Sequence, residues 1–325
     1  MNTVDCPSPH SAVLPPLYCP YESALHEQAE VVETSTLAWA DRFGLADDPA
    51  VRRRLGAMRG AWLSGRVTPR ATLPGLLVGT DWQTWLFLFD DAYCDESDRG
   101  RRCADTVKTA THAALVLDGG RAPGQEANPF LTALADVRDR LSAMTSPEQF
   151  ARFTAQVESY LLAQTWEAAH REQGTLAGFA EYVTMRRRSG GVPTCLALIE
   201  AVNGFELPGA VWSSPRLRAL SDAVVDIVCW ANDILSYPKE ASRSTQVLSL
   251  PAVLCHERGL SIGEALALAA RLHDERVEEY QRLEEPLLRD GGEEVRRYLA
   301  DLRHWIAGNL AWSLETGRYG LGVVA

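Results

Sequence analysis

Two stretches of oxygen-bearing side chains, far apart in the chain, have the residue types and spacing to hold a divalent cation. The first is WLFLFDDAYCDE at positions 85–96, where Asp90, Asp91, Asp95 and Glu96 arrive at the end of an aromatic, apolar run. On a helix Asp91 and Asp95 are i,i+4 neighbours on one face, and Asp90 points about 100° away. The cluster is therefore a broad acidic rim. Carboxylates at a helix C-terminus oppose the helix dipole and repel one another, so the arrangement calls for a compensating cation. Hard oxygen ligands that leave room for water and phosphate suit Mg²⁺. A solvated helix end can carry similar residues. Here Trp82, Trp85, Phe87 and Phe89 make the helix too apolar for the surface, and its acidic end is expected to border a cavity.

The second stretch is NDILSYPKE at 232–240. Asn232, Ser236 and Glu240 stand at i, i+4 and i+8, each step turning only about 40°, so the three share one stripe. Ser236 is short and central, and the longer Asn232 and Glu240 can lean toward it. Pro238 is expected to break the hydrogen-bond ladder and let the last turn bend inward. A polar stripe on an exposed helix is the plain alternative.

The elements that must position these groups are helices. Runs near 22–43, 48–64, 72–93, 101–117, 128–143, 147–170, 175–188, 191–203, 214–237, 246–257, 261–285 and 292–315 carry helical periodicity and helix-favouring residues. Breakers such as Asp48-Pro49, Gly119-Gly120, Gly190-Gly191 and Gly291-Gly292 fall between or at the edges of them. Alternating β-branched runs are missing, no fixed repeat appears, and no linker divides the middle. The reading is all-α, with an irregular proline-rich segment over 1–21 and one helical domain over 22–325.

Bulk properties narrow the function. A net charge of −11 argues against nucleic acid and against anionic membrane surfaces. An anionic small molecule stays possible, because divalent cations bridge acidic residues to phosphate. The seven cysteines are scattered without a C-x-x-C pair, which reads as reduced thiols in the cytoplasm. The first twenty residues lack a signal-peptide pattern, and no apolar run approaches the roughly 20 residues of a membrane span.

Taken in order, DDxxxD at Asp90, Asp91 and Asp95 followed by NDxxSxxKE at Asn232, Ser236, Lys239 and Glu240 resembles the bacterial class I terpene synthases. Three further segments carry the resemblance across the chain: YVTMRRRSGG at 182–191, WIAGNLAW at 305–312 followed by Gly317-Arg318-Tyr319, and YCPY at 18–21. The resemblance implies an α-helical bundle around a central cavity and cyclisation of a prenyl diphosphate, with farnesyl diphosphate favoured and the geranyl and geranylgeranyl esters open. It implies three Mg²⁺ ions, two on Asp90 and Asp95 and one on Asn232, Ser236 and Glu240. Arg186, Lys239, Arg318 and Tyr319 would grip the diphosphate. The carbonyl of Gly190 would face the developing cation from a helix break. Ser189 departs from the pattern, since related enzymes often carry aspartate three residues after the arginine. Homodimers occur in the family.

A carbocation also needs aromatic faces. Phe87 lies one turn below Asp90, and Trp305 and Trp312 share a face at i,i+7, so these three are assigned to the pocket wall, with plain core packing as the alternative for each. A chain-elongating prenyltransferase would want a second DDxxD where this sequence has Asn232, Ser236 and Glu240. A non-catalytic helical binding protein would show incomplete ligand sets.

Overall fold

A computed structural model describes residues 14–95, 102–243 and 247–319, and the side chains of Cys94, Asp95 and Arg243 also lie outside the description. Among the described residues there are helices and no strands. In order they are α1 (Ala29–Arg42), α2 (Pro49–Met58), α3 (Gly60–Val67), α4 (Leu73–Asp90), α5 (Cys103–Leu117), α6 (Pro129–Met144), α7 (Pro147–Gln173) and α8 (Phe179–Ser189). Then come α9 (Val192–Leu196), α10 (Ile199–Asn203), α11 (Gly209–Trp212), α12 (Pro215–Arg243), α13 (Leu250–Arg258), α14 (Ile262–Asp290) and α15 (Glu293–Glu315). None of them is long and apolar enough to cross a membrane.

Helix α4 is apolar on every side because it is surrounded. Thr72 caps it, accepting a hydrogen bond from the Gly75 N–H. Trp82 and Trp85 are fully buried and stack at 5.3 Å, and Phe89 continues the stack at 4.5 Å from Trp85. This aromatic column fixes the helix whose C-terminal end carries the first acidic cluster. The chain then widens into one π turn over Asp91–Asp95.

The long helices α7 and α14 start at complete capping boxes, Ser146 with Gln149 and Ser261 with Glu264. Two helices run further than the expected ends near 237 and 285. Helix α12 runs through Pro238 to Arg243, and α14 runs through Pro286 to Asp290. Each proline removes one backbone donor, and the chain beyond it stays helical although it is only part-buried or exposed.

Other expectations need correction, among them the run near 191–203, which is two short helices, α9 and α10. Residues 22–28 are not helical. They are held as irregular chain by His26, whose Nε2 meets the Ala71 carbonyl at 3.0 Å and whose Nδ1 accepts from the Gln28 N–H. The segment 48–64 is two helices, because Arg59 adopts a left-handed conformation with φ of 53°. The break has a use. The Met58 carbonyl accepts from Trp312 Nε1 and from Thr316 Oγ1, each at 2.9 Å, and Ala57 accepts from the Gly317 N–H. The end of α15, and with it Arg318 and Tyr319, is thereby fastened to the α2–α3 corner. Close approach of α15 to α3 requires Gly308, where a Cβ would fall 2.5 Å from the Arg66 carbonyl oxygen.

Candidate active site

Helices α3, α4, α7, α8, α9, α12 and α15 enclose a cavity of about 330 Å³. Asp90 and Asp91 reach it from α4 and the π turn, Asn232 and Glu240 from α12, and Arg318 and Tyr319 from the segment after α15. The two oxygen-rich stretches, 142 residues apart between Asp90 and Asn232, thus border one space. Lys239, Arg186 and Gly190 also line it, as do Phe87, Trp305 and Trp312. The side chain of Asp95 lies outside the described part of the structure.

A hydrogen-bond chain ties the mouth together. Arg186 donates from Nη2 to Asn232 Oδ1 at 3.0 Å, and Asn232 donates from Nδ2 to the Tyr319 hydroxyl at 2.7 Å. Arg318 grips Asp91 bidentately at 2.9 and 3.2 Å, the planar fork on a carboxylate that guanidinium favours. Its guanidinium also lies 4.6 Å from the Phe87 ring centroid. Burial raises the Asp91 carboxyl, but Arg318 overrides this and holds it below the ordinary carboxylate range. Burial lowers the Arg318 guanidinium, and Asp91 more than compensates, keeping it protonated. Burial pushes the Tyr319 hydroxyl up, so it remains a neutral donor.

Behind Arg186 stands Asp233, 2 % exposed. Arg186 bonds its Oδ1 through Nε at 3.0 Å and Nη2 at 2.8 Å. The other carboxylate oxygen accepts from the Tyr182 hydroxyl and, at 2.9 Å, from the Leu250 N–H. One carboxylate therefore joins α8, α12 and the start of α13. Burial pushes Asp233 upward against the pull of Arg186. Only Arg186 of the three consecutive arginines serves the cavity in this way. Arg187 is committed to Asp226 through two bonds of 2.7 Å.

Gly190 closes α8 and Gly191 follows in the left-handed region with φ of 70°. A Cβ on Gly190 would sit 2.4 Å from Cys229 Sγ, so the break lies flat against α12. Ser189, in the place where related enzymes often carry aspartate, is buried with its hydroxyl unpartnered, and its carbonyl accepts from Gln164. The anchor for Arg186 comes instead from Asp233.

Three rings beside the cavity are in contact. The Phe87 and Trp312 ring centroids are 5.7 Å apart, and Tyr319 meets Trp312 edge-on at 5.9 Å.

Among the described residues no three His, Cys, Asp or Glu side chains converge as a metal cluster. On the α12 side an ion would take the Asn232 amide, the Ser236 hydroxyl and Glu240, of which Asn232 and Glu240 line the cavity and Ser236 is buried between them along the helix. Ser236 fits that use, being 2 % exposed with its Oγ in want of a hydrogen-bond partner. The donor set is all oxygen, the chemistry of a hard cation such as Mg²⁺. Asp91, Asp233 and Tyr182 carried no assigned role from sequence. The signal for Asp233 was available, an acidic residue beside Asn232 between the apolar stretches IVCWA and IL.

Solved structures of other proteins share this fold. An α-eudesmol synthase structure superposes with a TM-score of 0.81 at 26 % identity, over 92 % of this chain and 99 % of its own. A cucumene synthase variant does so with a TM-score of 0.82 at 30 % identity, over 93 % and 99 %. Fold and cavity together define a class I terpenoid enzyme. The description of terpene synthase family 2, C-terminal metal binding, matches residues 81–279. The 4-epi-cubebol synthase of Streptosporangium roseum is 33 % identical over 94 % of this chain and 92 % of its own length. The (+)-T-muurolol synthase of Roseiflexus castenholzii is 33 % identical over 93 % of each chain. The chain belongs to the bacterial class I terpene synthases and is a terpene cyclase.

Proposed function

We propose that this enzyme ionises farnesyl diphosphate with Mg²⁺ and cyclises the resulting cation, with residues 22–325 acting as one catalytic domain. The observation that carries the reading is the meeting of Asp90, Asn232, Glu240, Arg318 and Tyr319 at one cavity mouth. The substrate length is favoured by two relatives, 4-epi-cubebol synthase and (+)-T-muurolol synthase, both described as farnesyl diphosphate cyclizing.

Asp90 and Asp95 on one side, and Asn232, Ser236 and Glu240 on the other, would hold three ions. Bound there, Mg²⁺ would supply positive charge and Lewis acidity for departure of the diphosphate. Arg186, Lys239, Arg318 and Tyr319 present donors to the diphosphate oxygens, and the hydrogen-bond chain through Asn232 and Asp233 keeps two of them aimed. The hydrocarbon lies below, against Phe87, Trp305 and Trp312, where ring quadrupoles stabilise a cation by about 0.5–2 kcal/mol each. The Gly190 carbonyl adds a dipole at the helix break. The enclosing helices keep the cation from bulk water until rings have closed.

Incubation with geranyl, farnesyl and geranylgeranyl diphosphate, followed by gas chromatography–mass spectrometry, tests the reading. Cyclic C15 products that vanish with EDTA and return with Mg²⁺ are expected. Metal-independent turnover, or consumption of isopentenyl diphosphate into longer chains, would refute it.

A further inference from the structure

Below the aromatic pair the cavity turns polar again. On α4, Gln83 lies seven residues before Asp90, about 10 Å deeper along the helix axis. On α15, Asn309 and Trp305 follow Trp312 inward, one and two turns down. All three line the cavity and are at least nine-tenths buried, at 7 %, 8 % and 3 % exposure. Two of their polar atoms, Asn309 Oδ1 and Trp305 Nε1, have no hydrogen-bond partner. Gln83 accepts from the Ser64 hydroxyl at 3.1 Å. Next to them is a second void of about 10 Å³ that shares Gln83, Trp305 and Cys195 with the main cavity. That is roughly the room for one water.

An unmet buried donor or acceptor costs about 1–3 kcal/mol. A prenyl hydrocarbon carries nothing that could satisfy an indole N–H or an amide oxygen. The partner these atoms lack must therefore be a small polar molecule that stays when the substrate enters. We infer that Asn309, Trp305 and Gln83 hold a water in the floor of the cavity, and that this water captures the final carbocation, so that the product is a terpene alcohol. The inference rests on the cyclase reading above.

The chemistry balances on what the site contains. The water accepts from Trp305 Nε1 and donates one hydrogen to Asn309 Oδ1, which leaves an oxygen lone pair for the cation. That pair forms the C–O bond. One O–H bond then breaks, its electrons staying on oxygen, as the protonated alcohol moves toward the mouth and gives its proton to the diphosphate released in the first step.

The test is product analysis in buffer enriched in H₂¹⁸O, with diphosphate release measured in parallel. The main product of the native enzyme is expected to be an alcohol carrying ¹⁸O. In Asn309→Leu and Gln83→Met the oxygenated fraction of total product should fall at least tenfold in favour of hydrocarbons, a ratio independent of total turnover. Diphosphate release with an oxygen-free main product from the native enzyme overturns this inference and leaves the cyclase reading standing. An unchanged alcohol fraction in both variants also overturns it. No diphosphate release from any of the three prenyl diphosphates overturns both.

Discussion

Replacing Asp233 by Asn strips the counter-charge from Arg186 while keeping the side chain's shape. The Arg186 side chain is 17 % exposed and that of Asp233 2 %, so the pair is shielded on most sides. Breaking a buried pair by removing one partner costs about 3–5 kcal/mol, because the other charge is left uncompensated. The opening of Arg186 toward the cavity places Asp233→Asn at the lower end, about 3 kcal/mol. Arg186→Met leaves Asp233 with its Tyr182 and Leu250 donors and a carboxyl already pushed upward by burial, so it can accept a proton. Its cost should be smaller. The double variant sets a neutral amide against an apolar chain and should be more stable than Asp233→Asn alone. The expected coupling is about 1–3 kcal/mol, the range for residues in direct contact. Urea unfolding of the four proteins measures it, with the slopes compared to confirm that the unfolding transition is the same. Additivity within about 0.5 kcal/mol would show that Asp233 does not anchor Arg186 and would remove the physical basis for the α8–α12 connection.

Three further outcomes follow from the site. Because the Asp91 carboxyl is depressed in the folded protein, its pairing with Arg318 contributes stability above the unfolded pKa of about 4, lost as pH falls through the lower folded value. Arg318→Met should flatten that part of the acid-unfolding curve, and an unaltered curve would speak against the pair. Ser236→Ala should weaken the Mg²⁺-dependent rise in melting temperature produced by inorganic diphosphate, and an equal rise in both proteins would exclude Ser236 from ion binding. Gly190→Ala forces a methyl against Cys229 Sγ and should destabilise by about 1–3 kcal/mol. Adding Cys229→Ala, which deletes the clashing atom, should restore part of the loss in thermal melting. No recovery would mean that the glycine is needed for another reason.

How far the sequence reaches can be judged residue by residue. Spacing on a helix is a local property, so Asn232 and Glu240 could be placed on one stripe from the sequence alone, and they line the same cavity. Breaks that depend on distant chain were not legible. Arg59 enters the left-handed region without glycine, and the carbonyl this frees at Met58 is met by Trp312, 254 residues away. Nor was it legible that α12 and α14 would continue past their prolines.

The least legible feature was a division of labour between neighbours. Asp90 and Asp91 are adjacent, as are Asn232 and Asp233, and adjacent residues on a helix point about 100° apart. In each pair the first residue was assigned to metal, and the second had no role. The structure gives the second an arginine: Arg318 on Asp91 and Arg186 on Asp233. Each consecutive pair thus offers one oxygen donor toward the cavity and one carboxylate that fixes a cation beside it. A diphosphate site needs both signs of charge within a few ångströms, and oppositely charged side chains left to themselves would collapse onto one another. Setting the anchoring carboxylate one residue along from the oxygen donor holds the guanidinium beside the donor while the carboxylate takes its charge. The Arg186 to Asn232 bond of 3.0 Å, made while Asp233 holds the same guanidinium, is that arrangement in its most explicit form.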